Sequence, residues 1–202
     1  MAQLRCFGGD DPLYRRYHDE EWGRPVLDER GLYERFSLEA FQSGLAWITI
    51  LRKRDNFRAA FDGFDPEVVA RYGADEVARL LADAGIVRNR LKVEATIANA
   101  RAVLELRDAG TSLDEVVWAH RPDPARPAPA GWGDVPAVTP ESTALAKALK
   151  KHGFRFVGPT TAYAAMQACG LVNDHLDGCV ARGATEQAQK TVRRSGSATG
   201  SA

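Results

Sequence analysis

The sequence predicts an all-α protein, and three observations carry that expectation. Apolar residues recur at helical spacing, most clearly at Val93, Ile97, Ala100 and Leu104. Capping residues and glycine or proline terminators punctuate the chain at helix-length intervals. No segment alternates apolar and polar residues convincingly, as a half-buried strand would.

The elements follow in order. Asp28 is placed to cap a helix through "ERGLYERFSLEAFQSG", which Gly44 ends. Residues 49–61, "TILRKRDNFRAAF", form the next, closed by Asp62-Gly63. In "FDPEVVARYG", Asp65 is the N-cap, Pro66 occupies the first turn and Gly73 terminates. "ADEVARLLADAG" is a helix stopped at Gly85, residues 88–108 make the longest amphipathic run, and "SLDEVVWAH" is a short helix. Six prolines within residues 121–140 mark a long connection. "PESTALAKALKKH" is helical, "GFRFVG" interrupts, and "TTAYAAMQACG" resumes. From Gly183 to residue 202 the chain is small, polar and aperiodic, which predicts a disordered tail. Residues 1–182 are expected to form one domain of helical subdomains around a cleft.

Composition narrows the function. The 202 residues are 45% hydrophobic and 27% charged, enough for a sizeable core. Lys+Arg and Asp+Glu are both 27, so binding to a polyanion needs a local basic patch rather than net charge. No apolar run of membrane-spanning length is present, and "MAQLRCFGGDD" lacks an apolar signal region. The three cysteines suit a reducing compartment, so a cytoplasmic, non-membrane protein is expected.

Four metal-ligating side chains lie near the two ends of the sequence. His175 and Cys179 in "LVNDHLDGCV" are four apart, so a helix there would set both on one face. Cys6, in the polar loop "CFGGDD", and His18 could complete a tetrahedral set, and a closed four-ligand site would be structural. Alternatively His175 is an ordinary buried histidine and the cysteines are incidental.

Glu39 shares a helix face with Leu32 and Phe36. A carboxylate aimed inward needs a partner or a function. A buried ion pair would explain it as well. Beyond it, "QSGLAW" offers Gln42 and Leu45 as wedges, Gly44 as a break and Trp47 as a stacking platform, followed by the cations of "RKR" at 52–54. That combination suits a nucleic acid with a disturbed base stack. In "HGFRFVGPTT", Gly153 and Gly158 let backbone N–H groups approach a phosphate, with Pro159-Thr160 opening the next helix. The pattern suits a helix-hairpin-helix for sequence-independent DNA contact, and an ordinary helix turn punctuated by glycines would also give it.

Together, "DPLYRRYHDEEWG", "LEAFQSGLAWITILRKR", "DAGIVRNRLKV" and "ALKKHGFRFVGPTTAYAAMQACGLVNDHLDGC" are similar to segments of the bacterial 3-methyladenine DNA glycosylase I family, a branch of the helix-hairpin-helix DNA glycosylase superfamily. The resemblance spans about residues 5–180. It implies the helix-hairpin-helix glycosylase fold, with a zinc staple of Cys6, His18, His175 and Cys179 joining the chain ends. It implies a base pocket of Glu39, Tyr17 and Trp47 with Trp22 nearby, and Gly44-Leu45 plugging the gap behind a flipped nucleotide. Phe7 stands where a tryptophan is expected, keeping an aromatic face without the indole N–H. Asn173 holds the place of the superfamily's catalytic Asp. The implied activity is hydrolysis of the N-glycosidic bond of 3-methyladenine without strand cleavage, with Glu39 as the catalytic candidate. The implied partners are duplex DNA bearing alkylated bases and the free base as product, and the implied state is a monomer. A zinc-stapled DNA-structure binder without excision activity would share the hairpin but not need a buried Glu39.

Overall fold

The structure, a computed structural model, describes residues 4–123 and 125–192, and these contain helices and no strand. Helix α1 (Pro12–Arg16) begins at the Asp11 cap, whose carboxylate accepts from the Tyr14 N–H, and widens into a π-helical turn over Tyr17–Glu21. Helix α2 (Glu29–Gln42) starts at Asp28, as the sequence predicts. Helix α3 (Trp47–Ala60) begins two residues earlier than its apolar pattern suggests. Helices α4 (Pro66–Val69) and α5 (Ala74–Ala82) follow, and α5 ends at Asp83 rather than Gly85. Helix α6 (Arg90–Asp108) is the longest. Helix α7 (Leu113–Trp118) precedes the proline-rich connection, which carries a single 3-10 turn at Trp132–Asp134. Helices α8 (Pro140–Lys151) and α9 (Pro159–Ala168) form the hairpin.

Helix α2 is the hub, packing against α3, α6, α7 and α9. Partners on several sides explain its run of buried residues, Leu32, Tyr33 and Phe36 through Phe41. On one side, Phe41, Phe57, Phe61 and Phe64 pack ring against ring, with centroids 4.6–6.0 Å apart between neighbours. On another, Trp118 donates its indole N–H to the Val26 carbonyl at 3.0 Å. Gly170 lies where the turn after α9 crosses residues 23–25. Its φ is +77°, and an added Cβ would meet the Arg24 and Pro25 backbone at 2.6 Å, so glycine is required there.

The expected disordered tail needs correction. Arg182–Lys190 form helix α10, in which Thr185 and Gln189 are buried. Gln189 Nε2 donates to the carbonyls of Gly23 and Val172, both at 3.0 Å. Arg182 Nη1 donates to the His175 carbonyl at 2.5 Å. These hydrogen bonds order a polar segment that has no apolar stripe of its own. The remaining tail positions, 193–202, lie outside the described residues.

Candidate functional site

Residues from five parts of the fold meet around a cavity of about 200 Å³. Phe7 and the α1 region supply Phe7, Tyr14, Tyr17 and Trp22; α2 supplies Glu39 and Gln42; α3 supplies Trp47; α9 supplies Ala164 and Gln167; the proline-rich connection supplies Trp132. The sequence singled out Phe7, Tyr17, Trp22, Glu39, Gln42 and Trp47. The structure brings all six together.

The cavity wall is aromatic. Tyr17 lies 5.2 Å from Trp47, and Phe7 lies 4.9 Å from Tyr14 and 5.0 Å from Trp22, centroid to centroid. The Trp47 indole N–H is buried without a hydrogen-bond partner. Arg35 lies beneath Tyr17 at 5.7 Å. Glu39 is 6% exposed, and its carboxyl has no hydrogen bond among the described residues. Burial raises its pKa to about 8, against a weaker opposing pull from Arg35. The contrast is Glu21. Burial pushes that carboxyl up, but hydrogen bonds from Arg54 at 2.5 and 2.9 Å and from Arg35 at 2.9 Å outweigh it and bring the pKa down to about 2. Arg35 gives Nη2 to Glu21 and keeps a buried Nη1 without a hydrogen-bond partner, and Glu39 faces the cavity without a hydrogen bond from it.

Cys6, His18, His175 and Cys179 are all buried, and their ligand atoms lie within 4.8 Å of one another, so the group could hold a metal ion. Cys179 Sγ is 3.4 Å from His18 Nε2 and 3.5 Å from His175 Nδ1, and Cys6 Sγ is 3.6 Å from His175 Nδ1. The outward nitrogens are also held. His18 Nδ1 meets Asp19 at 2.7 Å, Asp19 is held by Arg5 at 3.0 Å, and His175 Nε2 contacts the Trp22 carbonyl at 3.0 Å. Burial raises the Cys6 thiol to about 12 and lowers His175 to about 4, so it favours the neutral form of both side chains. No helix spaces His175 and Cys179, contrary to the face argument; residues 171–181 are irregular, and a turn folds the two together.

The other expected DNA-contacting positions lie outside the cavity lining. Gly44 has φ +83°, and Leu45 is 42% exposed just past the end of α2. Lys92, buried in α6, donates to the carbonyls of Phe41 at 2.9 Å and Ser43 at 2.7 Å, which fixes the exit of α2 beside this loop. Gly153 has φ +85°, Gly158 caps α9, and Thr160 is exposed on its first turn. Asn99 anchors the hairpin by donating to the Arg155 carbonyl at 3.1 Å and accepting its N–H at 2.7 Å. The cations of the "RKR" run are paired with groups of the protein itself, and only Arg54 is buried. Arg52 pairs with Asp11, Lys53 donates to the Ala84 and Gly85 carbonyls, and Arg54 is buried on Glu21.

Asn173 bonds the chain to itself, accepting from the His175 N–H and donating to the Arg182 carbonyl. Its neighbour Asp174 is buried, accepting from Tyr163 at 2.5 Å and Gln167 at 2.9 Å. Sequence reasoning missed four of the lining residues. Tyr14 was detectable, one helical turn before Tyr17; Ala164, Gln167 and Trp132 belong to segments with no chemical signal of their own.

Comparison with known proteins places this arrangement. A family model described as methyladenine glycosylase matches residues 7–182. DNA-3-methyladenine glycosylase 1 of Escherichia coli (strain K12) is 49% identical over 179 residues, covering 87% of this chain and 95% of that protein. A crystal structure of 3-methyladenine DNA glycosylase I superposes with a TM-score of 0.85 at 50% identity, covering 88% of this chain and 98% of the other. A 3-methyladenine DNA glycosylase I from Staphylococcus aureus, whose structure addresses 3-methyladenine recognition, superposes at 0.84 with 35% identity, covering 90% and 98%.

Proposed function

The chain belongs to the methyladenine glycosylase family, and from that premise we propose that it excises 3-methyladenine from alkylated DNA, with Glu39 reading the charge of the damaged base. The observation that carries this reading is the unpaired, buried Glu39 carboxyl in an aromatic cavity.

N3-methylation makes the purine cationic within the nucleotide. Water forms a bond to C1′, the C1′–N9 electron pair leaves with the purine, and a neutral base departs while the water gives up a proton. The substrate is therefore already activated, and selectivity is the harder task. The nucleotide is flipped out of the duplex, which costs least at a lesion. Inside the cavity Tyr17, Trp47, Trp22 and Phe7 offer π faces, on which a cation gains about 0.5–2 kcal/mol. A cationic ring also favours the ionised form of Glu39, which accepts a hydrogen bond from the base edge. Unmodified adenine lacks the charge and forfeits both interactions. Among the described residues the cavity lining has no lysine, and Lys92 is occupied at the end of α2, which supports a reaction without Schiff-base strand cleavage.

Gly44 and Leu45 fill the gap left by the flipped nucleotide, with Gln42 beside them. Gly153, Gly158 and Thr160 at the hairpin present N–H groups to the phosphates of duplex DNA. Zinc fits the Cys6, His18, His175 and Cys179 cluster. At about 2.3 Å from sulfur and 2.0–2.1 Å from nitrogen, tetrahedral ligands are about 3.5 Å apart. Three of the four sulfur–nitrogen pairs are 3.4–3.6 Å apart, and all four ligand atoms lie within 4.8 Å of one another, so a small inward shift completes the set. With four protein ligands the ion supplies no open position, so its role is to fasten the chain ends. Among the described residues no helix is long and apolar enough to cross a membrane, in keeping with a monomer acting in the cytoplasm.

The test is release of free base from methylated duplex DNA. Wild type is expected to release 3-methyladenine. Glu39→Gln, which keeps the shape and loses the charge, is expected to be slower by roughly ten- to a hundred-fold, the scale of one charged hydrogen bond. No release by wild type overturns the activity, and an undiminished variant overturns the role of Glu39.

A further inference from the structure

The long connection between α7 and α8 delivers one large side chain to the base cavity. Trp132 lines it together with Glu39, Phe7 and Trp22, yet is 48% exposed. Its ring centroid is 6.3 Å from both Phe7 and Trp22, tilted by 37° and 45°. An indole left half in water is a poor contribution to a core, since its apolar area is only partly removed from solvent.

The surrounding bonds nonetheless fix it in place. The indole N–H donates to the Cys6 carbonyl at 3.1 Å. Asp134 accepts from the Ala130 and Gly131 N–H groups at 3.1 and 3.2 Å, closing the turn that presents the ring. Pro129 accepts from the Asp177 N–H at 2.8 Å, tying the loop to the segment between His175 and Cys179. Prolines on either side, including Pro127, Pro129 and Pro136, limit the freedom of the loop. An aromatic face is thus pre-positioned at the rim of a cavity whose single lining carboxyl is Glu39.

We infer that Trp132 is the outer wall of the base site, a specificity-determining residue whose indole face covers the cationic purine after it enters. The inference rests on the glycosylase reading and extends it to a residue of the proline-rich loop. Its hydrogen bond to Cys6 makes this wall continuous with the metal cluster, so the loop is set by the same contacts that join the chain ends. Covering the ligand buries the exposed indole, and a positive ring gains most from it.

Calorimetric binding of free 3-methyladenine and of the permanently cationic N3,N9-dimethyladeninium tests this, alongside base release from methylated duplex. Trp132→Ala is expected to weaken the cation roughly three- to thirty-fold, the span of one cation–π contact, and to act on base release through KM more than kcat. Trp132→Phe keeps a π face while losing the bond to Cys6, and is expected to bind within about threefold of wild type. Trp132→Leu keeps apolar bulk without a π face, is expected to behave like Trp132→Ala, and replaces it if alanine loosens the loop. Folded alanine or leucine variants that bind the cation as wild type does overturn the wall. A phenylalanine variant as weak as the leucine variant also overturns it, because the bond to Cys6 would then be the operative feature. Wild type that binds neither probe and releases no base overturns the glycosylase reading, and this inference with it.

Discussion

At Glu39 burial and charge pull in opposite directions, and the balance has a measurable sign. Its ordinary value is 4.5, and burial raises it to about 8 in the folded protein. Between those values the native state holds a proton that the unfolded state releases. Stability therefore falls as pH rises through this window, by a few kcal/mol at most. Glu39→Gln removes the titrating group. Its melting temperature relative to wild type is expected to climb from about pH 5 to about pH 8, following the linkage. Thermal unfolding of both proteins across that range checks it, and a constant difference would contradict the raised pKa. Glu39 was legible in the sequence because a charged residue on the face of Leu32 and Phe36 breaks a simple pattern. Its lack of a partner was not legible. That depends on Arg35 being drawn to Glu21, a contact across 14 residues that no periodicity encodes.

At the scale of elements, most helices were legible because their ends carry local chemistry. Asp28, Asp65, Asn89, Ser112 and Thr139 each accept a backbone N–H at the start of a helix. Helix α10 was missed for a physical reason. It buries Thr185 and Gln189 rather than leucines, and Gln189 is satisfied by carbonyls more than 15 residues away in sequence. The opposite error concerns His175 and Cys179. Their spacing suited a helix, but the intervening Gly178, at φ +73°, turns the chain instead. The two side chains converge either way, so the cluster was readable although its local structure was not. The proline-rich connection read as a mere link because prolines erase periodicity. Its contribution, Trp132, shows only when the loop is folded against Cys6.

Across the whole molecule, the Cys6, His18, His175 and Cys179 cluster and the aromatic cavity share walls. Trp22 lines the cavity while its carbonyl meets His175, and Phe7, next to Cys6 in sequence, lies 4.8 Å from His18. With an ion in that cluster, as proposed, its removal is expected to loosen both ends of the chain and the pocket between them. Chelation is expected to lower the unfolding midpoint by several degrees or more and weaken base binding, with zinc restoring both; circular dichroism melts with and without chelator check it. An unchanged melt would show that packing alone holds the termini. Recognition of the damaged base comes down to one carboxyl meeting one cation. Carbon-13 NMR titration of Glu39 in wild-type protein, with and without N3,N9-dimethyladeninium, measures that meeting directly. The expected result is a pKa of about 8 in the free protein that moves down when the cation binds. A Glu39 carboxyl that titrates at its ordinary value, unmoved by the cation, would contradict it.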